Sequence, residues 1–183
     1  MISIHVRDVS FSYEQGTEIL KHLSFDVCKR ESVGLIGANG AGKSTLLKLL
    51  VGLNPVDSGT IQIGEYPVKK QYLPQIRAKL GYVFQDSDSQ LFMSTVYEDI
   101  AFAPRNYGLS PEEINQRVNQ ALELTGIGHL RDRQIHRLSG GEKKLVSIAT
   151  ILSMMPEALL MDEPSIALDP RNRRNLIHIL NSL

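Results

Sequence analysis

The sequence has a single cysteine and no excess of either charge. Cys28 has no second thiol with which to form an internal disulfide, as expected of a protein in a reducing compartment. We expect Cys28 to be buried and unreactive, because free cysteines pack like small apolar residues. Twenty Lys and Arg residues balance twenty Asp and Glu residues. The charge therefore gives no indication of a nucleic-acid partner or of an anionic membrane surface.

Long apolar segments are also absent from the sequence. The longest run, residues 44–53, contains Lys48 and falls well short of the ~20 residues that a membrane-spanning helix requires. Ile2, Ile4 and Val6 alternate with polar residues, which indicates a β-strand and not a signal peptide. A role at a membrane would therefore require a partner subunit. The 183 residues, of which 42% are hydrophobic, are enough for one globular domain with its own core.

The spacing of the apolar residues indicates an α/β protein. Strands are predicted where apolar residues alternate or form short runs, at residues 2–7, 23–27, 33–36, 60–63, 80–84 and 159–161. Helices are predicted at residues 44–51, 111–125, about 142–153 and 173–180. Residues 159–161 form a continuous apolar run, which is typical of a parallel-sheet strand that is buried on both faces.

The helix predicted at residues 111–125 has signals at both ends. Ser110 and Glu113 form the capping-box pattern, in which each side chain binds the backbone N–H of the other residue. Pro111 suits the first helical position, and Gly126 suits the position after the last turn. We therefore expect the helix to begin and end at these residues.

A glycine-rich segment lies between the predicted strand 33–36 and the predicted helix 44–51. It fits the phosphate-loop pattern and consists of Gly37, Ala38, Asn39, Gly40, Ala41, Gly42, Lys43, Ser44 and Thr45. Glycines allow backbone N–H groups to converge on phosphate oxygens, and the positive end of the following helix attracts the same anion. Lys43 would reach the β- and γ-phosphates, and Ser44 would bind Mg²⁺. The strand-to-helix context favours a nucleotide site over a chance match.

Two adjacent carboxylates follow the predicted strand 159–161. Asp162 would hold Mg²⁺, and Glu163 would polarise an attacking water, a positioning role that phosphoryl transfer requires. The alternative is an ordinary helix start ahead of Pro164. The phosphate loop earlier in the chain favours the catalytic interpretation.

The segment from Leu138 to Glu142 has two interpretations. By itself it fits a plain turn in which Ser139 caps the helix predicted at about residues 142–153. In a chain with a phosphate loop, however, Leu-Ser-Gly-Gly followed by a basic, apolar helix resembles the signature loop of the ABC ATPases. The resemblance extends along the whole chain, and the motifs occur in the order of that family.

The resemblance implies a role for each matching residue. Tyr13 would stack on adenine, residues 37–45 would bind ATP, and Gln85 would sense both Mg²⁺ and the transport partner. The expected catalytic residues are Lys43, Gln85 and Glu163, and the expected Mg²⁺ ligands are Ser44, Gln85 and Asp162. The signature residues are Ser139, Gly140, Gly141 and Glu142. The loop that crosses the dimer seam consists of Ala167, Leu168 and Asp169.

The resemblance also implies a fold and an assembly. The expected fold is a P-loop NTPase (RecA-like) core with an N-terminal antiparallel β region and a helical signature subdomain. One domain, residues 1–183, would contain the core (about 1–85 and 155–183) and the helical subdomain (about 86–154). ABC ATPases work as head-to-tail dimers, with each ATP between the phosphate loop of one subunit and the signature of the other. The partner would be a second copy of this chain or a homologous ATPase.

A narrower resemblance covers residues 83–102. The segments Gln90–Phe92 and Glu98–Asp99 are similar to those in ATPases of energy-coupling-factor importers, which include cobalt and nickel transporters and vitamin-importing relatives. Lys143 and Lys144 after the signature also fit that group. The resemblance implies transmembrane partner subunits and a peripheral position at the cytoplasmic face of the cell membrane. We expect no nucleic-acid partner, because the sequence has no basic stripe.

One part of the family pattern is missing. ABC ATPases place a histidine well after the catalytic glutamate, and none of the five histidines here occupies that position. We expect all five to be structural or surface residues: His5, His22, His129, His136 and His178. We also expect the domain to be incomplete at its C-terminus. Two alternatives to an importer ATPase are a non-transport ABC ATPase and an ATP-binding module without turnover. The sequence has neither the long coiled-coil insertion nor the second cassette of the non-transport types.

Overall fold

The computed structural model describes residues 2–14, 17–166 and 168–182. The strands are β1 (Ile4–Ser12), β2 (Glu18–Val27), β3 (Ser58–Ile63), β4 (Tyr66–Pro67), β5 (Leu80–Val83) and β6 (Ala158–Met161). The α-helices are α1 (Lys43–Leu50), α2 (Leu73–Lys79), α3 (Val96–Asn106), α4 (Pro111–Thr125), α5 (Gly140–Leu152) and α6 (Pro170–Ser182). The chain divides into two compact units, the first comprising Met1–Gly81 and Glu157–Asp162 and the second Tyr82–Pro156 and Glu163–Leu183.

The first unit contains a four-stranded antiparallel sheet with the strand order β2-β1-β3-β4. Val6 of β1 pairs with Phe25 of β2 on one side and with Ile61 of β3 on the other. The Val6 side chain is fully buried, because alternate residues of a strand face the core. The antiparallel β region predicted for the beginning of the chain is therefore confirmed.

Two further elements of the first unit carry residues of the predicted site. α1 begins directly after the glycine-rich segment, and Leu46, Leu49 and Leu50 on its apolar face are buried. β6 is hydrogen-bonded to β5, and the backbone N–H of Glu157, just before β6, donates to the carbonyl oxygen of Lys79 at 2.7 Å. Asp162 therefore follows directly after the end of a strand.

The second unit is mainly helical, and side-chain caps determine where its helices begin. At the start of α4, the Ser110 hydroxyl accepts a hydrogen bond from the Glu113 N–H, and the Glu113 carboxylate accepts one from the Ser110 N–H. Gly126 ends the helix with a left-handed φ of 69°. Thr95 and Glu98 form the same kind of box at α3. The predicted bounds of the helix at residues 111–125 are confirmed.

The strand predicted at residues 33–36 is wrong. Within the described residues this segment forms no ladder with another strand, and its apolar side chains are exposed, Ile36 completely. An apolar run shows only that burial would be favourable. A strand also needs a partner for its backbone N–H and C=O groups, which the run alone does not provide.

Two predictions about burial also need correction. β6 is a strand, but Leu160 is its one buried residue and the other three are half-buried, so it is not covered on both faces as predicted. Cys28 is exposed, because it follows the end of β2 in a turn. There its N–H donates to the Glu31 carboxylate at 2.7 Å, which fixes the turn without burying the thiol.

None of the helices within the described ranges combines the length and the apolar character needed to span a membrane.

Candidate functional site

The glycine-rich segment adopts a loop whose shape depends on left-handed backbone conformations. Gly40 has a φ of 82° and Gly42 a φ of 88°, values that residues with a Cβ rarely adopt. The N–H of Ala41 donates to the carbonyl oxygen of Ala38 at 3.2 Å, which closes a turn inside the loop. Gly42 is also the N-cap of α1, so the loop ends where the positive end of the helix dipole begins. This is the geometry of an anion site.

Lys43 lies across this loop. Its Nζ donates to the carbonyl oxygens of Gly37 (2.8 Å) and Ala38 (2.9 Å). Both acceptors are neutral carbonyl groups, whereas a phosphate oxygen carries negative charge and would add Coulomb attraction to the hydrogen bond. A phosphate at the loop would therefore compete well for the ammonium group. The position of Lys43 at the loop suits the prediction that it binds nucleotide phosphates.

Ser44 and Asp162 are brought together although they are far apart in the sequence. The Ser44 hydroxyl donates to Oδ1 of Asp162 at 2.9 Å, and the Asp162 side chain is 5% exposed. A hydroxyl and a carboxylate are the hard oxygen ligands that Mg²⁺ prefers. In the described ranges, no group of three or more His, Cys, Asp or Glu side chains is placed to hold a metal ion. A Mg²⁺ ion at this pair would take its other ligands from water and phosphate, as is usual for Mg²⁺.

Tyr13 lies near the helix that carries Ser44. Its hydroxyl is 3.3 Å from Oγ1 of Thr45, and its ring packs edge-on against Phe11 with the centroids 4.9 Å apart. The side chain nevertheless remains 56% exposed. An aromatic ring that is more than half exposed suits the predicted stacking on a base. Asn39 lies in the exposed part of the loop, and its role in ATP binding stays a prediction.

Gln85 and Glu163 form a second pair of predicted site residues, within the second unit. The side-chain amide of Gln85 donates to Oε2 of Glu163 at 2.8 Å. Glu163 has a left-handed φ of 46°, a conformation that costs a residue other than glycine on the order of 1–3 kcal/mol and often occurs at functional sites. Gln85 thus fixes the direction of a carboxylate that would orient water. Gln85 was also predicted to bind Mg²⁺, and that role stays a prediction.

The predicted signature residues form the beginning of α5. The Ser139 N–H and hydroxyl both donate to the Glu142 carboxylate at 2.8 Å, and the Glu142 N–H donates to the Ser139 hydroxyl at 3.3 Å. The two bonds from Ser139, the backbone one first, lower the pKa of the Glu142 carboxyl below its usual value. Ser139 and Gly140 are exposed, and a Cβ added to Gly140 would meet no atom within 4 Å. This end of α5 is therefore open to a second molecule.

Comparison with known proteins gives the family. The sequence profile of the ABC transporter family matches residues 20–166. A relative from Geobacter sulfurreducens that is named an ABC transporter ATP-binding protein is 49% identical over 177 residues, which cover 97% of this chain and 71% of the relative. The chain belongs to the ABC transporter family. Its cassettes are ATP-hydrolysing domains, and the predicted P-loop NTPase fold is confirmed.

Two other ABC proteins are similar over nearly the whole chain. The energy-coupling factor transporter ATP-binding protein EcfA of Methanocaldococcus jannaschii is 42% identical over 185 residues, covering 100% of this chain and 66% of the relative. The structure of cbiO1 from Clostridium perfringens, part of the ABC transporter complex cbiONQ, superposes with a TM-score of 0.87 at 38% identity. The superposition covers 98% of this chain and 72% of cbiO1. The narrower resemblance to energy-coupling-factor ATPases is confirmed by these relatives.

The loop predicted to cross an ABC dimer seam is described only in part. Ala167 lies outside the described residues. Leu168 is buried, and the Asp169 carboxylate accepts hydrogen bonds from the N–H groups of Arg171 and Asn172, each at 2.8 Å. Asp169 therefore caps α6, a structural role that the sequence analysis did not give it. Its role at a seam between subunits stays a prediction.

The sequence did not predict that two side chains hold the backbone at Gln85. Lys144 and Gln90 both bind the backbone next to Gln85, as described below. The available signal was the position of Lys144 among the apolar residues of α5, where a charged side chain requires an explanation. Gln90 was noted for its family resemblance, but nothing in the sequence indicated its hydrogen bonds to Phe84, Ser147 and Thr150.

Proposed function

We propose that residues 37–45, with Asp162, bind ATP and Mg²⁺, and that Glu163 and Gln85 orient the attacking water. The observation that carries the proposal is the Ser44–Asp162 hydrogen bond of 2.9 Å at the start of α1. It joins the residue that follows the phosphate-loop lysine to the carboxylate at the end of β6. Ser44 and Asp162 would hold Mg²⁺, which when bound neutralises charge on the phosphate oxygens.

Lys43 and Glu163 would have separate parts in the reaction. Lys43 would exchange its loop carbonyls for phosphate oxygens and so stabilise negative charge as the γ-phosphate leaves. Glu163 is the residue that follows Asp162 in the chain, and its carboxylate accepts from the Gln85 amide at 2.8 Å. Held in this way, the carboxylate would accept a hydrogen bond from water and direct the water oxygen at phosphorus.

We further propose that the chain works as a head-to-tail pair, with itself or with a homologous ATPase. The exposed start of α5 supports this, because Ser139 offers a hydroxyl there and Gly140 leaves open space for an approaching anion. The N-terminal end of a 13-residue helix adds favourable charge for a phosphate group. ATP held by the phosphate loop of one subunit would then attract the signature of the other.

The relatives support a role in import. EcfA is named an energy-coupling factor transporter protein, and cbiO1 is described as part of the cbiONQ complex. We propose that this chain powers an importer of that class from the cytoplasmic face of the membrane, with cobalt, nickel or a vitamin as its cargo. Membrane subunits should copurify with the tagged chain from a native extract. Recovery of soluble partners alone would contradict the importer proposal.

ATP turnover tests the catalytic proposal. Mg²⁺-dependent hydrolysis by the wild type should be lowered by about 10²-fold or more in Glu163→Gln, because positioned general bases contribute 10²–10⁴-fold. ATP affinity should be unchanged, since the substitution leaves residues 37–45 intact. Glu112→Gln, at an exposed carboxylate on α4, is the control and should retain full turnover. A wild type that binds ATP without hydrolysing it would be a binding module and not a motor.

A further inference from the structure

Lys144 is a buried cation with a specific pair of acceptors. It lies on the second turn of α5, and its side chain is 1% exposed. Its Nζ donates to the carbonyl oxygens of Phe84 (2.8 Å) and Gln85 (3.1 Å). Both carbonyls belong to the segment that carries the Gln85 side chain. The signature helix therefore holds the backbone of Gln85 directly.

Two other side chains join the same segment to α5. Gln90 donates to the Ser147 carbonyl at 2.6 Å and to the Thr150 hydroxyl at 2.8 Å, and its own carbonyl accepts from the Phe84 N–H at 3.2 Å. Lys143 contacts the Asp88 carboxylate at 2.6 Å. Residues 84–90, which we call the glutamine segment, are thus attached to α5 at both ends.

The burial of a charge at this position calls for an explanation beyond stability. Taking an ammonium group out of water is costly unless its hydrogen bonds are made. An apolar residue at 144 would avoid that cost in a helix where Leu145 and Ile148 are also buried, and replacing buried ionic groups by apolar ones is often neutral or stabilising. An apolar side chain, however, could not fix the direction of two carbonyl groups. Lys144 orients the backbone at Gln85.

We propose that Lys144 is a positioning residue for ATP hydrolysis: it holds the backbone of Gln85 so that the Gln85 amide reaches the Glu163 carboxylate. The inference rests on the proposed function, because it assigns Lys144 a part in the catalytic arrangement through Gln85. It also links the signature at the start of α5 to the carboxylate that orients water. A displacement of α5 along its axis would be passed to Gln85 through the Lys144 ammonium group.

A double-mutant cycle tests the proposal. Lys144→Met should lower kcat by about tenfold, which corresponds to about 1.4 kcal/mol. This is the size of effect expected if the hydrogen bond from Gln85 to Glu163 is lost. ATP affinity should stay within about twofold, because the substitution leaves residues 37–45 intact. In a Gln85→Ala background the same substitution should have little further effect. The exposed Lys21→Met serves as the surface control and should match the wild type throughout.

Amide hydrogen exchange supplies a readout that does not depend on turnover. In Lys144→Met, exchange should rise in the glutamine segment and remain at the wild-type level in α4 and in β1. Lys144→Gln, which replaces the ammonium group by an uncharged amide, replaces Lys144→Met in both measurements if the methionine variant does not fold.

Either of two results would overturn the inference. The first is unchanged exchange in the glutamine segment, and the second is an equal loss of kcat in the presence and absence of Gln85. Absence of hydrolysis by the wild type would contradict the proposed function instead, and the exchange data would still decide whether Lys144 holds the glutamine segment.

Discussion

The phosphate loop and the helix starts of the second unit hold their backbones in different ways. Residues 28–41 are exposed throughout, and the loop depends on the φ values of its glycines and on Lys43 bonds to its own carbonyls. In the second unit, side-chain oxygens accept from N–H groups at the starts of α3, α4 and α5. Left-handed glycines and one lysine thus fix the first region, and capping boxes fix the second. Substitutions should therefore act through backbone strain in the phosphate loop and through lost capping hydrogen bonds at the helix starts.

The largest effect is expected from a Cβ in the phosphate loop. Gly42→Ala would strain a φ of 88° and would place its Cβ 2.9 Å from both Ile19 Cγ2 and Leu20 Cδ2. We expect it to lower the free energy of unfolding by about 2–3 kcal/mol and to weaken ATP binding more than tenfold. Chemical denaturation and nucleotide titration measure the two effects.

Gly40→Ala is the matched control for this prediction. Gly40 has a similar φ of 82°, but nothing lies within 4 Å of an added Cβ. Its cost should be the backbone strain alone, about 1 kcal/mol. Equal destabilisation by the two variants would show that steric contact with β2 is unimportant to the loop.

A medium effect is expected from loss of a cap. Ser139→Ala and Ser110→Ala remove the same kind of capping box from α5 and α4, and each should cost about 1 kcal/mol of stability. With Glu163→Gln as the background, ATP should induce a dimer that light scattering can detect. Ser139→Ala should weaken this dimer, whereas Ser110→Ala should leave it intact. A similar loss in both variants would mean that Ser139 acts on the fold alone.

The α5 cap also has a pH dependence of known sign. Because the pKa of Glu142 is lowered in the folded protein from its ordinary value of 4.5, its stabilising contribution is present above that value. The contribution is lost as the pH falls through the lower, folded pKa. Ser139→Ala should reduce this loss, which unfolding curves recorded between pH 3 and pH 7 would measure. An unchanged slope would contradict the assignment.

The smallest effect is expected at Asp99 in α3. Its carboxylate is buried and accepts from the N–H groups of Phe92 (3.1 Å) and Met93 (3.0 Å). Burial raises its pKa above the ordinary 3.8, in spite of these two bonds. The folded protein therefore binds this proton more tightly than the unfolded chain, and the stability contributed by Asp99 declines as pH rises from 3.8 through the folded pKa.

Asp99→Asn should remove this decline. The Asn carbonyl can still accept from Phe92 and Met93, so we expect a gain at pH 7 of less than about 1 kcal/mol. The gain should disappear below about pH 4, where Asp99 is protonated in both states. Thermal unfolding at the two pH values measures it. A loss of stability at pH 7 would show that the negative charge itself is needed by the backbone donors.

The parts of the structure that the sequence predicted well depend on neighbouring residues. The bounds of α4 follow from Ser110, Pro111 and Gly126, which act within one helical turn. The chemistry of residues 37–45 follows equally from local glycines and one lysine. Identification of the family as ABC needed the spacing of several such motifs, each of which is short.

The parts that were missed depend on residues far apart in the chain. The strand predicted at residues 33–36 needed a ladder partner that an apolar run cannot supply. Burial of Lys144 became visible only when α5 and the glutamine segment were placed side by side, about 60 residues apart in sequence. The exposure of Cys28 depended likewise on where β2 ends. Local patterns indicate which residues can cap a helix or form a loop, whereas the partners of a strand or of a buried side chain depend on tertiary packing.

At Gly140 the proposed dimer and the stability of the single chain would favour different side chains. The first residue of α5 has room for a larger side chain, and its φ is not in the left-handed region. Alanine would therefore fit, and it would favour the helix by up to about 1 kcal/mol. The solitary chain gains nothing from the missing methyl group. In the proposed dimer the open space at Gly140 would let the ATP of the other subunit approach the start of α5, whereas the chain alone forgoes the stability that alanine would add.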